Sequence, residues 1–201
     1  HVPLNIKGKD ATFHMGNESF FSALKKRPVL INSCRGEVIK TDTVKKALKT
    51  KQLSSFVCDC WENEPDLDLE LLEMTEIATP HIAGYSKDGK AKGTLMSVLA
   101  ISDFFGLGLN NWQPSGVELP TNPIIEIDGE GMNEQEVFSK AILHTYDIRH
   151  DDKLLRLSPE HFEQQRGDYP TRREFQAFIV RTQRVEEKTL EKLELLGFNV
   201  S

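Results

Sequence analysis

The chain has 201 residues, 38% of them hydrophobic and 28% charged, and a formal net charge of −6. This length and apolar content suffice for one large or two small hydrophobic cores. The negative charge argues against nucleic acid as a partner, because proteins that bind a phosphate backbone usually carry a basic face.

The longest apolar stretch, residues 94–109, is broken by two serines, an aspartate and two glycines. It is shorter and more polar than a membrane span requires, so we expect no membrane partner. The first residues do not resemble a signal peptide, and three cysteines are too few for a disulfide framework. These features favour a cytoplasmic protein. Because the chain starts at His1 and runs directly into what reads as the end of a strand, we expect a C-terminal fragment.

Short apolar runs alternate with helical patterns in the first ninety or so residues. Three runs predict strands, at residues 28–32, 55–59 and 76–79, and helical spacing predicts helices at residues 41–53 and 68–74. Strands that alternate with helices through short links indicate right-handed crossovers and a parallel sheet. The expected fold class is α/β, with half of a doubly wound, Rossmann-like sheet in this region.

The second half of the chain has a different pattern. A long helix, mostly buried, is predicted between Gly93 and Gly106 from recurring apolar residues. The three prolines that follow in residues 110–123 are typical of an extended linker. The remainder predicts a small α+β unit, with strands near residues 124–127, 175–182 and 198–200 and helices near residues 134–144 and 186–196. The predicted domains are residues 1–109, a linker at 110–123, and a C-terminal domain at 124–201.

Four polar side chains follow the predicted strands of the first sheet: Arg35, Asp59, Glu64 and His81. In open α/β sheets ligands bind beyond the carboxyl ends of the strands, so these side chains can converge. Hydride transfer from a secondary alcohol beside a carboxylate needs a base for the hydroxyl proton and a cation for the carboxylate. His81 can be the base, because imidazole exchanges protons near neutral pH, and Glu64 can fix its tautomer. Arg35 offers a planar fork that suits a carboxylate.

Three segments in order along the chain carry a family resemblance. They are residues 31–39 (INSCRGEVI), 59–65 (DCWENEP) and 79–84 (TPHIAG). These segments resemble the Asn-x-x-Arg-Gly, Asp-x-x-x-x-Glu-Pro and Thr-Pro-His-x-x-Gly segments of the D-2-hydroxyacid dehydrogenases. The resemblance implies NAD as the cofactor. It also implies that Arg35 anchors the substrate carboxylate, that Glu64 is the partner of the histidine, and that His81 donates or accepts the proton.

The same resemblance implies the cofactor and substrate contacts. Asp59 is expected to bind the nicotinamide side of NAD, and the other cofactor contacts are expected from Val2, Ser33, Cys34, Arg35 and Gly84. Residues 81–94 and 165–175 further resemble one member of the family, which oxidises a small phosphorylated 2-hydroxyacid. That resemblance implies a substrate contact from Tyr85. It also implies a homodimer, with a two-fold interface formed by residues from about Ile124 onward.

One departure from the family is that its Gly-x-Gly-x-x-Gly phosphate loop is absent. Gly106 and Gly108 follow a predicted helix, and Asn111 stands where the third glycine belongs, so this segment is no pyrophosphate loop. We therefore expect the chain alone to be inactive and to bind NAD weakly or not at all.

Several alternatives stay open. The chain can belong to another D-2-hydroxyacid dehydrogenase, such as phosphoglycerate dehydrogenase, to a NAD-binding regulator built on the same fold, or to a dimerisation module. Arg172 and Arg173 are either solvated charges or contacts to a substrate phosphate. The pair Cys58 and Cys60 has no second pair to complete a zinc site, so the sequence favours no metal.

Overall fold

A computed structural model describes residues 2–201, and His1 lies outside the described residues. The described chain divides into two compact units, residues 2–83 with 148–169, and residues 84–147 with 170–201. This division differs from the predicted one at two places, because residues 84–109 belong to the second unit and residues 148–169 join the first. Two of their side chains, Leu155 and Phe162, are almost fully buried in the core of that unit.

The strands and the α-helices are numbered separately, each in chain order. The strands are β1 (Val29–Asn32), β2 (Ser55–Cys58), β3 (Ile77–Ala78), β4 (Ile124–Asp128), β5 (Ile179–Gln183) and β6 (Asn199–Val200). The α-helices are α1 (Glu18–Ser22), α2 (Thr41–Lys49), α3 (Leu69–Met74), α4 (Lys87–Phe105), α5 (Glu134–Thr145), α6 (Ile148–Leu157), α7 (Phe162–Gly167) and α8 (Glu187–Leu195).

The first unit contains a three-stranded parallel sheet in the order β1-β2-β3. Its strands alternate with α2 and α3, as the sequence pattern predicts, so the expected α/β fold class is confirmed. Val44, Phe56 and Ala78 lie in the core beneath the sheet. Because the strands are parallel and adjacent, the loops after all three leave the sheet at the same edge.

The second unit contains another three-stranded parallel sheet, in the order β4-β5-β6. Helix α5 begins at a capping box, in which Asn133 and Glu136 each accept a hydrogen bond from the other residue's backbone amide. Strand β4 alternates buried and exposed residues, so Ile125 and Ile127 face the core and Ile124 faces outward.

The burial predicted for the long helix before Gly106 is wrong. Helix α4 begins at Lys87, earlier than predicted, with the Ser86 side chain accepting from the amide of Gly89. It was expected to be mostly buried, yet Met96 is 64% and Phe104 is 81% exposed. Apolar residues around a helix predict burial without identifying the packing partner, and within residues 2–201 these side chains remain exposed.

Candidate active site at the carboxyl edge of the first sheet

The loops that follow β1, β2 and β3 carry the predicted site residues. Arg35 lies three residues after β1, Asp59 directly follows β2, and His81 lies three residues after β3. Glu64 belongs to the loop after β2. The candidate site therefore lies where ligands bind to sheets of this class.

The closest contact in the site joins Glu64 and His81. The imidazole Nδ1 of His81 lies 2.5 Å from Oε1 of Glu64, and the two side chains are 20% and 26% exposed. The other carboxylate oxygen, Oε2, accepts from the backbone amide of Trp61 at 3.2 Å. An ionised carboxylate only accepts hydrogen bonds, so Nδ1 is assigned the proton and Nε2 becomes the nitrogen that can take or give a substrate proton.

Asp59 holds the loop that carries His81. Its Oδ1 accepts from the Thr79 hydroxyl and the Ile82 amide, both at 2.7 Å, and its Oδ2 accepts from the Ala83 amide at 3.0 Å. Its backbone carbonyl accepts from the amide of His81 at 2.8 Å. The Asp59 residue is only 6% exposed, so the structure uses this carboxylate to fix the chain on both sides of His81.

The backbone of His81 is in the left-handed region, with φ of 54°. A residue with a Cβ rarely adopts this conformation, and the strain is tolerated where the surrounding structure determines it. Here the hydrogen bonds to Asp59 provide that constraint. The orientation of the imidazole ring thus depends on a loop built around a buried carboxylate.

Asn32 is a site residue whose role the sequence reasoning did not assign. It is 2% exposed, and its Nδ2 donates to the carbonyl of Arg35 at 3.1 Å and to that of Cys60 at 2.9 Å. Its Oδ1 accepts from the thiol of Cys34 at 3.0 Å. The sequence does contain a feature that could have indicated this role. Asn32 ends an apolar strand, and a side-chain amide that is buried at such a position needs hydrogen-bond partners.

Arg35 is exposed, and its Nη1 donates to the carbonyl of Cys34 at 2.7 Å. Among residues 2–201, the structure places no hydrogen bond between Arg35 and either Glu64 or His81. The side chain is therefore positioned at the same edge of the sheet as the pair but outside its hydrogen-bond network.

The predicted cofactor contacts are partly accessible. Ser33 and Cys34 are half-buried directly after β1, and Val2 is half-buried against the core. Gly84 is exposed with φ of 76°, and a Cβ there would meet open space. Glycine is therefore favoured at this position by the left-handed backbone conformation and not by close packing against a neighbouring atom. The predicted substrate contact, Tyr85, belongs to the second unit, where the ammonium of Lys90 lies 3.8 Å from its ring centroid.

The two cysteines beside Asp59 are poor candidates for reactive thiolates. Burial raises the pKa of the Cys58 thiol, and burial followed by the charge of Asp59 raises the pKa of Cys60. Within residues 2–201, no group of three or more His, Cys, Asp or Glu side chains is arranged to hold a metal ion. The same residues contain no helix that is long and apolar enough to cross a membrane.

A second histidine and carboxylate pair lies in the first unit. Nε2 of His14 lies 2.5 Å from Oε1 of Glu62, whose Oε2 accepts from the amide of Thr41 at 2.7 Å. Burial opposes ionisation of Glu62, but the hydrogen bonds from Thr41 and His14 outweigh it and lower the pKa of Glu62. Glu62 thereby satisfies an amide in the first turn of α2, and the pair has a structural role.

The structure also assigns a partner to Arg173. Its Nε and Nη2 donate to the two oxygens of Asp88, at 2.8 and 2.9 Å, and each side chain is 10% exposed. Arg173 is therefore neither a solvated charge nor available to a phosphate in this conformation. The guanidinium of Arg172 lies 3.5 Å from the ring centroid of Tyr146.

Family models match the chain in two stretches. Residues 1–83 match the D-isomer specific 2-hydroxyacid dehydrogenase, NAD binding domain. The predicted resemblance is confirmed for these residues. This match supports NAD as the cofactor. Residues 118–197 match a domain of unknown function.

Curated relatives cover nearly the whole chain. It is 45% identical over 181 residues to the erythronate-4-phosphate dehydrogenase of Porphyromonas gingivalis, covering 90% of this chain and 48% of that protein. It is 40% identical over 209 residues to the protein of the same name from Proteus mirabilis, covering 100% of this chain and 53% of that protein. The chain thus spans about half the length of these relatives.

Among solved structures, a D-lactate dehydrogenase from Aquifex aeolicus, complexed with NAD and lactic acid, is 28% identical, with a TM-score of 0.42. The match covers 59% of this chain and 40% of that one. The holo form of Rhodotorula graminis D-mandelate dehydrogenase is 37% identical, with a TM-score of 0.39, covering 44% of this chain and 25% of that one.

Proposed function

We propose that this chain supplies the proton-transfer half of the active site of an NAD-dependent dehydrogenase that oxidises 4-phospho-D-erythronate to 2-oxo-3-hydroxy-4-phosphobutanoate. The reaction would belong to the biosynthesis of pyridoxal 5'-phosphate, vitamin B6. The observation that carries the proposal is the pairing of Glu64 with His81 beside the predicted cofactor residues. The names of the relatives support the choice of substrate.

In the proposed reaction the residues of this chain handle the proton and the carboxylate. His81 takes the proton of the C2 hydroxyl at Nε2, and Glu64 stabilises the imidazolium that forms. Arg35 binds the substrate carboxylate, and its exposed guanidinium is accessible for this. When bound, NAD would supply the acceptor for the hydride that leaves C2.

The residues present fit NAD in part. Ser33 and Cys34 directly follow β1 at the carboxyl edge of the parallel sheet and would line the cofactor together with Val2 and Arg35. Asp59 fits a contact to the nicotinamide less well, because Thr79, Ile82 and Ala83 already donate to its oxygens. The remaining acceptor capacity of Oδ2 would have to serve that contact.

A chimera tests the proposal directly. This chain would replace the matching region of the Porphyromonas gingivalis relative, and formation of NADH from 4-phospho-D-erythronate would be followed by absorbance. We expect turnover, with His81→Asn reducing it far more than it weakens NAD binding. A folded chimera that binds NAD without oxidising this substrate would contradict the proposal and would favour either a regulator or a dehydrogenase of another substrate. Assay with 3-phosphoglycerate distinguishes these two.

We also propose that residues from about Ile124 onward form a homodimer. Phe175, Phe178, Ile179 and Val180 form an apolar run, but three of these side chains pack in the unit's own core, whereas Ile179 is 37% exposed. Better support comes from the outer face of the parallel sheet, where Ile124 and Ile179 pair and both are exposed. Parallel sheets are usually covered on both faces. Light scattering that shows a monomeric chimera at micromolar concentration would end this proposal.

A further inference from the structure

Two helices from far along the chain pack in the core of the first unit, and the first of them lies against β3, the last strand of the first sheet. They are α6 and α7, and both lie within the stretch that matches a domain of unknown function. Leu155 of α6 and Phe162 of α7 are 0% and 1% exposed in the core of the first unit. The helices are therefore an integral part of the unit that carries the candidate active site.

The polar contacts of α6 are made with the backbone that leads to His81. Asp152 accepts from the amide of Ala78 in β3 at 2.7 Å. Arg156 donates from Nη1 to the carbonyl of Leu72 and from Nη2 to that of Thr75, both at 2.7 Å. These bonds satisfy an amide of β3 and the carbonyl of Thr75, and they add a second donor to the carbonyl of Leu72, which already accepts from the amide of Thr75 at the end of α3.

A further contact reaches His81 itself. Nε of Arg166, one residue before the end of α7, donates to the backbone carbonyl of His81 at 3.3 Å. The amide of His81 is bonded to Asp59 on the other side. The strained, left-handed residue is thus held at its amide by the NAD-binding domain and at its carbonyl by α7.

We propose that Arg166 is a positioning residue for His81 and that residues 148–169 belong to the catalytic architecture. Arg166 acts through the backbone of His81: its bond restricts the peptide plane after His81 and so fixes the imidazole against Glu64. The proposal rests on the proposed role of His81 in proton transfer. It gives a function to part of a stretch whose family description gives none.

The first test needs no catalysis. Histidine-labelled samples of the 201-residue chain are compared by NMR as wild type, Arg166→Met and Arg166→Lys. The control is Lys153→Met, which removes a positive charge from an exposed position of α6. We expect the Nδ1–H resonance of His81 to broaden or vanish in Arg166→Met, to be retained in part in Arg166→Lys, and to be unchanged in the control.

An unchanged His81 resonance and solvent exchange rate in Arg166→Met would overturn the proposal. If that variant does not fold, Arg166→Gln replaces it. Glutamine keeps an N–H donor but loses the charge and the reach of the guanidinium, so the bond to the His81 carbonyl should be lost. An unchanged His81 spectrum in this variant would equally overturn the proposal. Urea unfolding of each variant verifies that a change at His81 is not caused by global loss of stability.

The second test uses the chimera and separates this proposal from the proposed function. We expect Arg166→Met to lower kcat roughly 10- to 100-fold, since misplaced catalytic groups cost this much, with little change in the KM for NAD. Partial recovery of kcat in Arg166→Lys supports positioning. An inactive wild-type chimera would defeat the proposed function and leave the NMR test to decide the role of Arg166. An active chimera whose kcat is insensitive to Arg166→Met would defeat only the role of Arg166.

Discussion

The carboxylate of Glu64 and the imidazole of His81 lie 2.5 Å apart although 17 residues separate them in sequence. The loop after β2 carries the first residue and the loop after β3 carries the second. Parallel pairing of the two strands brings these loops together, and the Asp59 carboxylate then fixes the second loop. The pair is therefore a product of the sheet topology and of one buried carboxylate.

Substitution of Glu64 tests this relationship. We expect Glu64→Gln to lower kcat of the chimera by at least about 100-fold, because an amide neither fixes the tautomer nor stabilises the imidazolium as a carboxylate does. NAD affinity should be unchanged, because no cofactor contact is assigned to Glu64. Glu73→Gln, in an exposed position of α3, is the matched control. Near-normal turnover of Glu64→Gln would show that the pair is only structural.

Gly36 follows Arg35 and packs closely against the backbone of the loop after β2. A Cβ at this position would lie 1.9 Å from the carbonyl oxygen of Trp61 and 2.5 Å from the amide nitrogen of Glu62. We expect Gly36→Ala to reduce the free energy of unfolding by about 3 kcal/mol or more, because backbone must move to admit the methyl group. The measurement is urea denaturation followed by circular dichroism.

Gly93→Ala is the control for that change. Gly93 lies in the interior of α4, where a Cβ would meet nothing within 4 Å. Alanine should there stabilise the helix by about 0.5 to 1 kcal/mol. If both substitutions have similar small effects, the close approach at Gly36 is not a constraint on the fold.

The strands of the first sheet and the Glu64–His81 pair were predictable from local patterns. Each strand is a short apolar run, and each functional residue follows one, so the order of elements is enough to place them at one edge. The hydrogen bonds of Asp59 were not predictable, because a carboxylate at a strand end reads equally as a ligand contact or as an internal acceptor.

The packing of α6 and α7 escaped prediction for a different reason. Residues 148–167 are rich in charge, and the helical pattern of Leu155 and Phe162 does not show which core receives them. Periodicity identifies a buried face without its partner, and the partner here is more than seventy residues away in sequence. The exposure of α4 has the same origin, since its apolar residues predict burial and only tertiary structure decides it.

The thiols provide a test of burial at the site. Cys58 and Cys60 are 2% and 1% exposed and burial raises their pKa values, whereas Cys34 is half-buried. We expect iodoacetamide at pH 8 to modify Cys34 first, as measured by peptide mass spectrometry, because the thiolate is the reactive form. Saturating NAD should slow this reaction in the chimera if Cys34 lines the cofactor. Faster labelling of Cys60 than of Cys34 would contradict the geometry of the loop after β2.

The last prediction concerns Asp88 and Arg173, which join the first turn of α4 to the segment before β5. The hydrogen bonds from Arg173 and from the amide of Glu174 lower the pKa of Asp88 although burial opposes this. A carboxyl group whose pKa is lowered by folding stabilises the protein above its unfolded pKa, about 3.9, and loses this contribution as the pH falls through the lower folded value.

Asp88→Asn should therefore be destabilising by about 2 to 3 kcal/mol at pH 7, where it leaves the guanidinium of Arg173 without its charged partner. The difference from wild type should persist down to about pH 4 and shrink below it, as the wild-type carboxyl becomes protonated and the two proteins become alike in charge. Urea unfolding at pH 7, 5 and 2.5 measures the gap. Asp103→Asn, in an exposed position near the other end of α4, should change stability by less than about 0.5 kcal/mol at each pH. A gap for Asp88→Asn that is equal at all three pH values would mean that side-chain shape, and not the charge of this buried pair, holds the start of α4 in place.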